Sequence, residues 1–392
     1  MTYTNAEKLI KCAKGTDSAD NLGKLLGCLG NPEKKLGIIK IFGGSGKSSV
    51  CTMLSAVLSA AGYKVGRLTT PLIHSVPNNI RIYEKPTSIE FFTKSADKVN
   101  KILLNIKKSD EEYSDLAFSA NDLLFATALT AFADADCDYA LIEVPTENIS
   151  HTVFSSPIIS IISTSADVNI AKSICARLDR DSKEVITAIQ SREVYKLISD
   201  KCAEINTRLS MPLKNAFLFM SATVKHAEFT YGGKVFTVGC GSYYQVQNML
   251  TVLEAVAALK RCGLKIAGTD VCSAVLSEGI PLRFEVISIL PTIIIDRADT
   301  KERRNALIES LKKLDSQISV SPIVICDGDR KNISEEFFAA GYRASLNEAN
   351  TKELKKSLRE ILPNLDESST LIILGSSKYC EEASKHTREF LM

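Results

Sequence analysis

The sequence predicts an α/β protein with two doubly wound layers in succession, a larger one over 1–279 and a smaller, Rossmann-like one over 280–392. Two observations predict it. Short, near-continuous apolar runs alternate with helical patterns, and a glycine-rich turn joins the first such run to a helix. Runs of this kind read as parallel strands buried on both faces, and their alternation with helices calls for a sheet covered on each side.

The elements follow in order. The opening 35 residues read as short helices ending at Leu29-Gly30-Asn31-Pro32. A strand at 36–42 runs into the glycine turn, a helix continues from Lys47 through Ala61, and Gly62 ends it. A short strand occupies 64–69, helical patterns cover 88–107 and 120–135, and strands return at 139–144 and 158–162. Segment 214–238 is richer in β-formers, with Gly232-Gly233 as a hairpin turn. A long helix at 243–262 closes the first layer. Beyond Gly279-Ile280-Pro281 the alternation resumes: strand 293–296, a charged helix at 300–315, strand 323–326, helices 333–340 and 350–361, strand 371–374 and a terminal helix.

Bulk properties narrow the function classes. At 392 residues two domains are the natural division. Hydrophobic residues at 45% and charged residues at 24% are the balance of a globular chain. The net charge of +2, from 48 basic and 46 acidic residues with no basic stripe interleaved with aromatics, argues against a nucleic-acid partner. No run of about 18 apolar residues is present, so no membrane span is expected. The first 15 residues carry charges throughout and lack the apolar core of a signal peptide, and a cytoplasmic monomer is the expectation. The eleven cysteines are odd in number and contain no CxxC pair, which reads as small buried hydrophobes in a reducing compartment.

The sharpest local signal is Gly43-Gly44-Ser45-Gly46-Lys47-Ser48-Ser49. Glycines let a backbone wrap closely around an anion, because a Cβ would block both the φ angles and the approach. The helix that starts at Lys47 turns its positive end and its N–H groups toward such an anion. Lys47 then reaches terminal phosphates, and Ser48 or Ser49 assists a metal or phosphate. The spacing is Gly-x-x-Gly-Lys-Ser-Ser, shorter than a standard Walker loop, since Ile41 stands where that pattern needs Gly. The alternative is an ordinary glycine-rich turn between strand and helix.

A shorter loop of this kind is similar to that of the Mur ligase superfamily, and its surroundings resemble the folylpolyglutamate synthase/dihydrofolate synthase family. Leu29-Gly30-Asn31-Pro32 with Lys34-Lys35 looks like the family's segment upstream of its loop. Ala61 through Gly66, then Thr69-Thr70-Pro71, resembles its helix end and Thr-Ser-Pro-His segment, and Asn78 with Ile80-Arg81-Ile82 continues in register. Cys137-Asp138-Tyr139-Ala140 through Glu143 is similar to the strand that carries a metal-binding Glu. Gln245 and Asn248 fall in a Gln-x-x-Asn pattern, Arg283-Phe284-Glu285 resembles Gly-Arg-Phe-Glu, and Gly375-Ser376 matches a Gly-Ser after the last strand. The resemblance spans nearly the whole chain.

It implies a P-loop-containing, Mur ligase-like central domain over 1–279 and a Rossmann-like ligase domain over 280–392. It also implies ATP and Mg²⁺ as cofactors and a folate-like acid and glutamate as partners: ATP phosphorylates the acid, and the amine displaces phosphate from the acyl phosphate. Carried over residue by residue, Gly43, Gly44, Ser45, Gly46, Lys47, Ser48 and Ser49 hold phosphate, joined by Asn248, Arg283 and Asp296 toward the nucleotide. Thr70 and Glu143 take the metal, and Lys47 and Arg283 serve catalysis. An Arg suits phosphate because its planar fork pairs bidentately, although a surface cation is the alternative for Arg283. A carboxylate such as Glu143 in an apolar strand is costly unless paired or metal-bound.

Several positions depart from the family pattern. Asp167-Val168 replaces an Asp-His pair, Leu72 replaces a His, and Pro145-Thr146-Glu147-Asn148 replaces a glycine-rich stretch. Lys172 and Lys183 both remain candidates for a carbamylated lysine, with surface lysines as the alternative. Asp296-Arg297-Ala298-Asp299-Thr300 keeps the first Asp but has Asp299 and Thr300 for His and Asn. His74, His151, His226 and His386 have no mutual spacing that suggests a ligand set. Three readings follow: an ATP-dependent acid–amino acid ligase, a nucleotide-binding paralogue that senses or partners without ligating, and a P-loop kinase or ATPase. The last leaves Arg283-Phe284-Glu285 and the second domain unexplained.

Overall fold

A central strand buried from Ile38 to Phe42 organises the N-terminal half of the protein. The computed structural model describes residues 1–70, 75–109, 117–145, 157–165, 167–178, 180–275, 280–314, 317–328 and 330–392. Two units emerge: Met1–Pro212 with Leu250–Ala274, and Leu213–Met249 with Val275–Met392.

In the first unit eight strands form one sheet: β1 (Gly37–Phe42), β2 (Val65–Leu68), β3 (Ile80–Ile82), β4 (Lys85–Pro86), β5 (Tyr139–Glu143), β6 (Ile159–Ile162), β7 (Glu184–Thr187) and β8 (Arg208–Ser210). Their spatial order is β4-β3-β2-β5-β1-β6-β7-β8. From β2 across to β8 every pairing is parallel, as the alternation of strands and helices requires, while β3 and β4 add an antiparallel edge. The turn between those two edge strands holds Tyr83 and Glu84 at φ 52 and 63. Helix Lys47–Ala60 packs on β1, β2 and β5. Leu36, Ile38, Ala140 and Ile142 share a core with Phe92, Leu129 and Phe132 of helices Ile89–Ser109 and Ala120–Asp134. Phe42, Ile162 and Val185 join Ile174 and Ile198 in a second core. Each such aliphatic side chain, fully removed from water, stabilises the fold by roughly 1.5–3 kcal/mol. The parallel register matters for function because it brings the C-terminal ends of β1, β2 and β5 to one edge, where ligands of α/β sheets bind.

The second unit carries two sheets. One is the antiparallel set β9 (Phe217–Ala222), β10 (Ala227–Tyr231) and β11 (Lys234–Val238), in order β11-β10-β9. Gly232 and Gly233, both at positive φ, turn the chain between Tyr231 and Lys234 as the sequence suggests. The other contains β12 (Glu285–Ile289), β13 (Thr292–Asp296), β14 (Ile323–Cys326), β15 (Ser345–Glu348) and β16 (Thr370–Leu374), ordered β12-β13-β16-β14-β15. It is parallel except at β12, which forms a hairpin with β13. Helices Lys301–Lys313 and Arg330–Ala339 share a core with β14 and β16 through Leu307, Leu311 and Phe337. Val224 and Tyr244 join that core, which is why Leu213–Met249 groups with the C-terminal unit although the sequence reading set it in the first domain. The division drawn at 279 falls at the end of 276–279, outside the described residues.

All eleven cysteines are free thiols, and Cys51, Cys175 and Cys326 are buried as expected of small hydrophobes. Among the described residues no helix is long and apolar enough to cross a membrane.

Candidate functional site

At the C-terminal end of β1 the chain enters the glycine turn. Gly43 has φ 139, a conformation that L side chains avoid, and a Cβ there would lie 2.0 Å from Ser163 Oγ. Gly46, at φ 85, starts helix Lys47–Ala60 without any side-chain cap. The uncapped first turn therefore keeps its amide donors and the positive end of the dipole for an anion. The Gly44 and Ser45 N–H groups both donate to the Thr164 carbonyl, at 3.1 and 3.0 Å, which pins the loop to the segment after β6. Lys47 Nζ donates to the Gly43 carbonyl at 2.7 Å, arching its ammonium over the loop.

Sequence alone left Ser48 and Ser49 as equivalent. The structure separates them: Ser49 is buried, whereas Ser48 Oγ donates to Glu143 Oε2 at 2.9 Å. The same carboxylate oxygen accepts the Thr70 N–H at 3.3 Å, and Thr70 Oγ1 donates to the Glu143 carbonyl at 3.4 Å. Ser48, Thr70 and Glu143 thus converge from a helix start, the exit of β2 and the end of β5, although they are far apart in sequence. Glu143 is 3% exposed. One carboxylate with two hydroxyls is an all-oxygen donor set, and it fits a hard divalent cation such as Mg²⁺ that keeps several waters and phosphate oxygens. Among the described residues no cluster of three His, Cys, Asp or Glu that could hold a metal ion exists.

The second unit presents a different construction. Arg283 stands between Leu282 and Phe284, two non-glycine residues at φ 59 and 54. Such a conformation costs of order 1–3 kcal/mol per residue and persists only where surrounding bonds impose it. Here they do. The Leu282 N–H donates to Glu285 Oε2 at 2.9 Å, the Arg297 N–H donates to the Leu282 carbonyl at 2.9 Å, and the Phe284 N–H donates to Asp296 Oδ2 at 2.9 Å. Arg283 itself donates through Nη1 to the Arg297 carbonyl at 3.0 Å.

Asp296 is 2% exposed, and Tyr244 Oη also donates to its Oδ2. Burial pushes the Asp296 carboxyl up, opposed by the Arg283 charge and by the bonds from Tyr244 and Phe284. Burial likewise drives the Tyr244 phenol upward, with the Asp296 charge adding to it. Asp296 is thereby engaged within its own unit. Asn248, also buried, donates through Nδ2 to Gln245 Oε1 at 2.9 Å, while Gln245 Nε2 is buried with no bond.

The departures have structural accounts. Asp299 pairs with Arg303 and, at 3.6 Å, with Arg297, so its charge is balanced locally. Thr300 caps helix Lys301–Lys313 by accepting the Arg303 N–H at 3.4 Å. Asp167 caps helix Val168–Cys175 through the Asn169 N–H at 2.6 Å, and Val168 opens that helix. Lys172 and Lys183 are both exposed. His226 bonds Thr223 within a turn, and His386 lies between Glu382 and Glu389 on the terminal helix. Pro71, Leu72, His74, Thr146, Glu147, Asn148 and His151 lie outside the described residues. Sequence reasoning missed Ser163, Thr164 and Tyr244, whose importance comes only from long-range bonds that no local pattern announces.

No family model matches the chain. Dihydrofolate synthetase of Saccharomyces cerevisiae is 37% identical over 121 residues, 31% of this chain and 26% of that protein. The dihydrofolate synthase/folylpolyglutamate synthase of Mycobacterium tuberculosis is 25% identical over 325 residues, 75% of this chain and 66% of its own length. The chain thus spans about a quarter of the first relative and just under two thirds of the second. Among solved structures, folylpolyglutamate synthetase from Lactobacillus casei superposes with a TM-score of 0.82 at 22% identity, over the whole of both chains. An FPGS–AMPPCP–folate complex superposes with a TM-score of 0.82 at 21% identity over 99% of each. These two likenesses bear on the fold.

Proposed function

Because the chain belongs to the dihydrofolate synthase/folylpolyglutamate synthase family of the Mur ligase superfamily, we propose that it is an ATP-dependent ligase joining glutamate to a folate-type carboxylate. A carboxylate oxygen of the acid attacks the terminal phosphorus of ATP, and ADP leaves. The amine nitrogen of glutamate then attacks the acyl carbon, phosphate departs, and the nitrogen loses a proton. The observation that carries the reading is the convergence of Ser48, Thr70 and Glu143 beside Lys47, at the uncapped start of a 14-residue helix.

In this proposal the helix start and the glycine turn bind phosphate oxygens, and Lys47 exchanges its bond to the Gly43 carbonyl for one to the terminal phosphates. Glu143, Ser48 and Thr70 would hold Mg²⁺, which would neutralise phosphate charge. Within the second unit, the Arg283 loop is held in place by Asp296 and Glu285. Fixed donors of this kind lower a barrier because they need no reorganisation as charge develops.

A second reading, a nucleotide-binding paralogue without ligase activity, draws on Val168, on Asp299 held by two arginines and on Thr300 as a cap. One assay separates the two. Phosphate release from Mg-ATP is measured with and without a folate and glutamate, in the wild type and in Lys47→Ala. Release that needs both acceptors and drops about 100-fold or more in the variant supports the ligase. Tight ATP binding with no release under any acceptor supports the paralogue.

A further inference from the structure

We propose that Asn79 is a positioning residue for the metal cluster, holding Thr70 and Glu143 in place by completing the ladder between β2 and β3 with its side chain. The inference rests on the reading of Glu143 and Thr70 as metal-site residues.

Strands β2 and β3 are antiparallel, with Leu68 opposite Ile80. The next pair outward is Thr69 and Asn79. In a regular ladder two opposed residues of this kind exchange both N–H···O bonds. Half of that exchange is present, because the Thr69 N–H donates to the Asn79 carbonyl at 3.0 Å. Asn79 is also the last residue of the one-turn helix Val76–Asn79. Its side chain takes over: Asn79 Nδ2 donates to the Thr69 carbonyl at 2.8 Å. Both backbone groups of Thr69 are thereby fixed by one residue that is completely buried.

Thr70 is the next residue along. Its N–H and hydroxyl reach Glu143, whose Oε2 also receives Ser48. A displacement of Thr69 is passed directly to these bonds, because the peptide between residues 69 and 70 is rigid. The short helix is itself held at its other end. The Val76 N–H donates to Glu7 Oε1 at 3.0 Å, where a capping side chain is otherwise absent, and Tyr3 Oη meets Ser75 Oγ at 3.2 Å. Burial pushes the Glu7 carboxyl upward, yet the Val76 N–H, Lys11 and Tyr3 together hold it below its usual value, so it stays an anion and a good acceptor. The first helix of the chain, the one-turn helix and Asn79 form a continuous brace ending on the metal cluster.

The side-chain chemistry is restrictive. Alanine removes the donor. Aspartate keeps the size but sets an acceptor against the Thr69 carbonyl. Removing groups that orient metal ligands typically weakens metal binding about 10- to 100-fold.

The test titrates Mn²⁺ into the full chain in the presence of AMPPCP, following free Mn²⁺ by electron paramagnetic resonance. Asn79→Ala and Asn79→Asp are compared with wild type and with Glu143→Ala, and nucleotide binding without metal is measured alongside. The expected result is Mn²⁺ binding weakened about 10-fold or more in both Asn79 variants, with metal-free nucleotide binding unchanged. Wild-type Mn²⁺ affinity in the Asn79 variants, with weakened binding in Glu143→Ala, overturns the positioning role and leaves the metal site standing. Wild-type affinity in Glu143→Ala as well removes the metal reading itself. Should the Asn79 variants not fold, Glu7→Gln loosens the brace from its far end. About threefold weaker Mn²⁺ binding in that variant supports the inference, and none overturns it.

Discussion

Gly43→Ala is the most informative single change, because two independent costs meet at that atom. The new Cβ would lie 2.0 Å from Ser163 Oγ and 3.1 Å from Ser163 Cβ and its carbonyl oxygen. Ser163 has little room to yield. It is fully buried, its N–H donates to the Phe42 carbonyl at 2.8 Å, and its hydroxyl donates to the same oxygen at 3.1 Å. Overpacking of this kind costs about 1–3 kcal/mol. The backbone adds its own penalty, since φ 139 is nearly exclusive to glycine and a side chain there costs a further 1–3 kcal/mol or so. The variant is expected to lose about 2–6 kcal/mol in urea denaturation. A loop shifted by about 1 Å is also expected to slow ATP turnover roughly 100-fold. Adding Ser163→Ala removes the Oγ contact but neither the φ angle nor the Ser163 carbonyl, so the double variant regains only the steric part. Wild-type urea stability together with ATP affinity within twofold of wild type would refute this account of the turn.

Other consequences are checked more simply. Tyr244→Phe removes one of two donors to the buried Asp296 carboxylate and is expected to cost about 1–3 kcal/mol by denaturation, unfolding the C-terminal unit first by limited proteolysis. Thr300→Ala is expected to cost about 1 kcal/mol as a lost helix cap, whereas Thr300→Ser restores it; equal melting temperatures for all three proteins count against the cap. For Glu184, burial raises the carboxyl pKa, but Arg261, Ser210 and Arg208 outweigh it and hold the folded value below the ordinary one. Its stabilisation is therefore present above about pH 4.3 and is lost as pH falls through the lowered folded value. Glu184→Gln is expected to flatten the acid side of the melting-temperature profile, and an unchanged profile rules this out.

What the sequence made legible, and what it hid, follows from where the information sits. Strands β1, β13, β14 and β16 are almost wholly buried and mostly apolar, and each is evident from its residues alone. Strands β8, β12 and β15 are edge strands with half-exposed residues, so they lack that signal. Strand β7 opens on Glu184, a charge that reads as surface until Arg261 is seen beside it, 77 positions later. The site divides the same way. Lys47 and Ser48 belong to one local motif, and Glu143 betrays itself as a lone charge in an apolar strand. The Thr164 carbonyl and the Asn79 amide act through pairings between distant strands, and nothing in their own neighbourhoods marks them.

The grouping of Leu213–Met249 with the C-terminal unit bears on how this protein can be cut. The chain passes from one unit to the other three times, after residues 212, 249 and 274. A gene fragment covering only 280–392 would lack Val224 and Tyr244, taking two members from the core that holds Leu307 and Leu311 and leaving Asp296 without its phenolic partner. Such a piece would be a damaged unit rather than an isolated domain. Because Tyr243–Arg261 is a single helix whose early turns serve one unit and whose later turns serve the other, no simple truncation separates them. Excising the first unit would require rejoining 212 to 250, and excising the second would require rejoining 249 to 275.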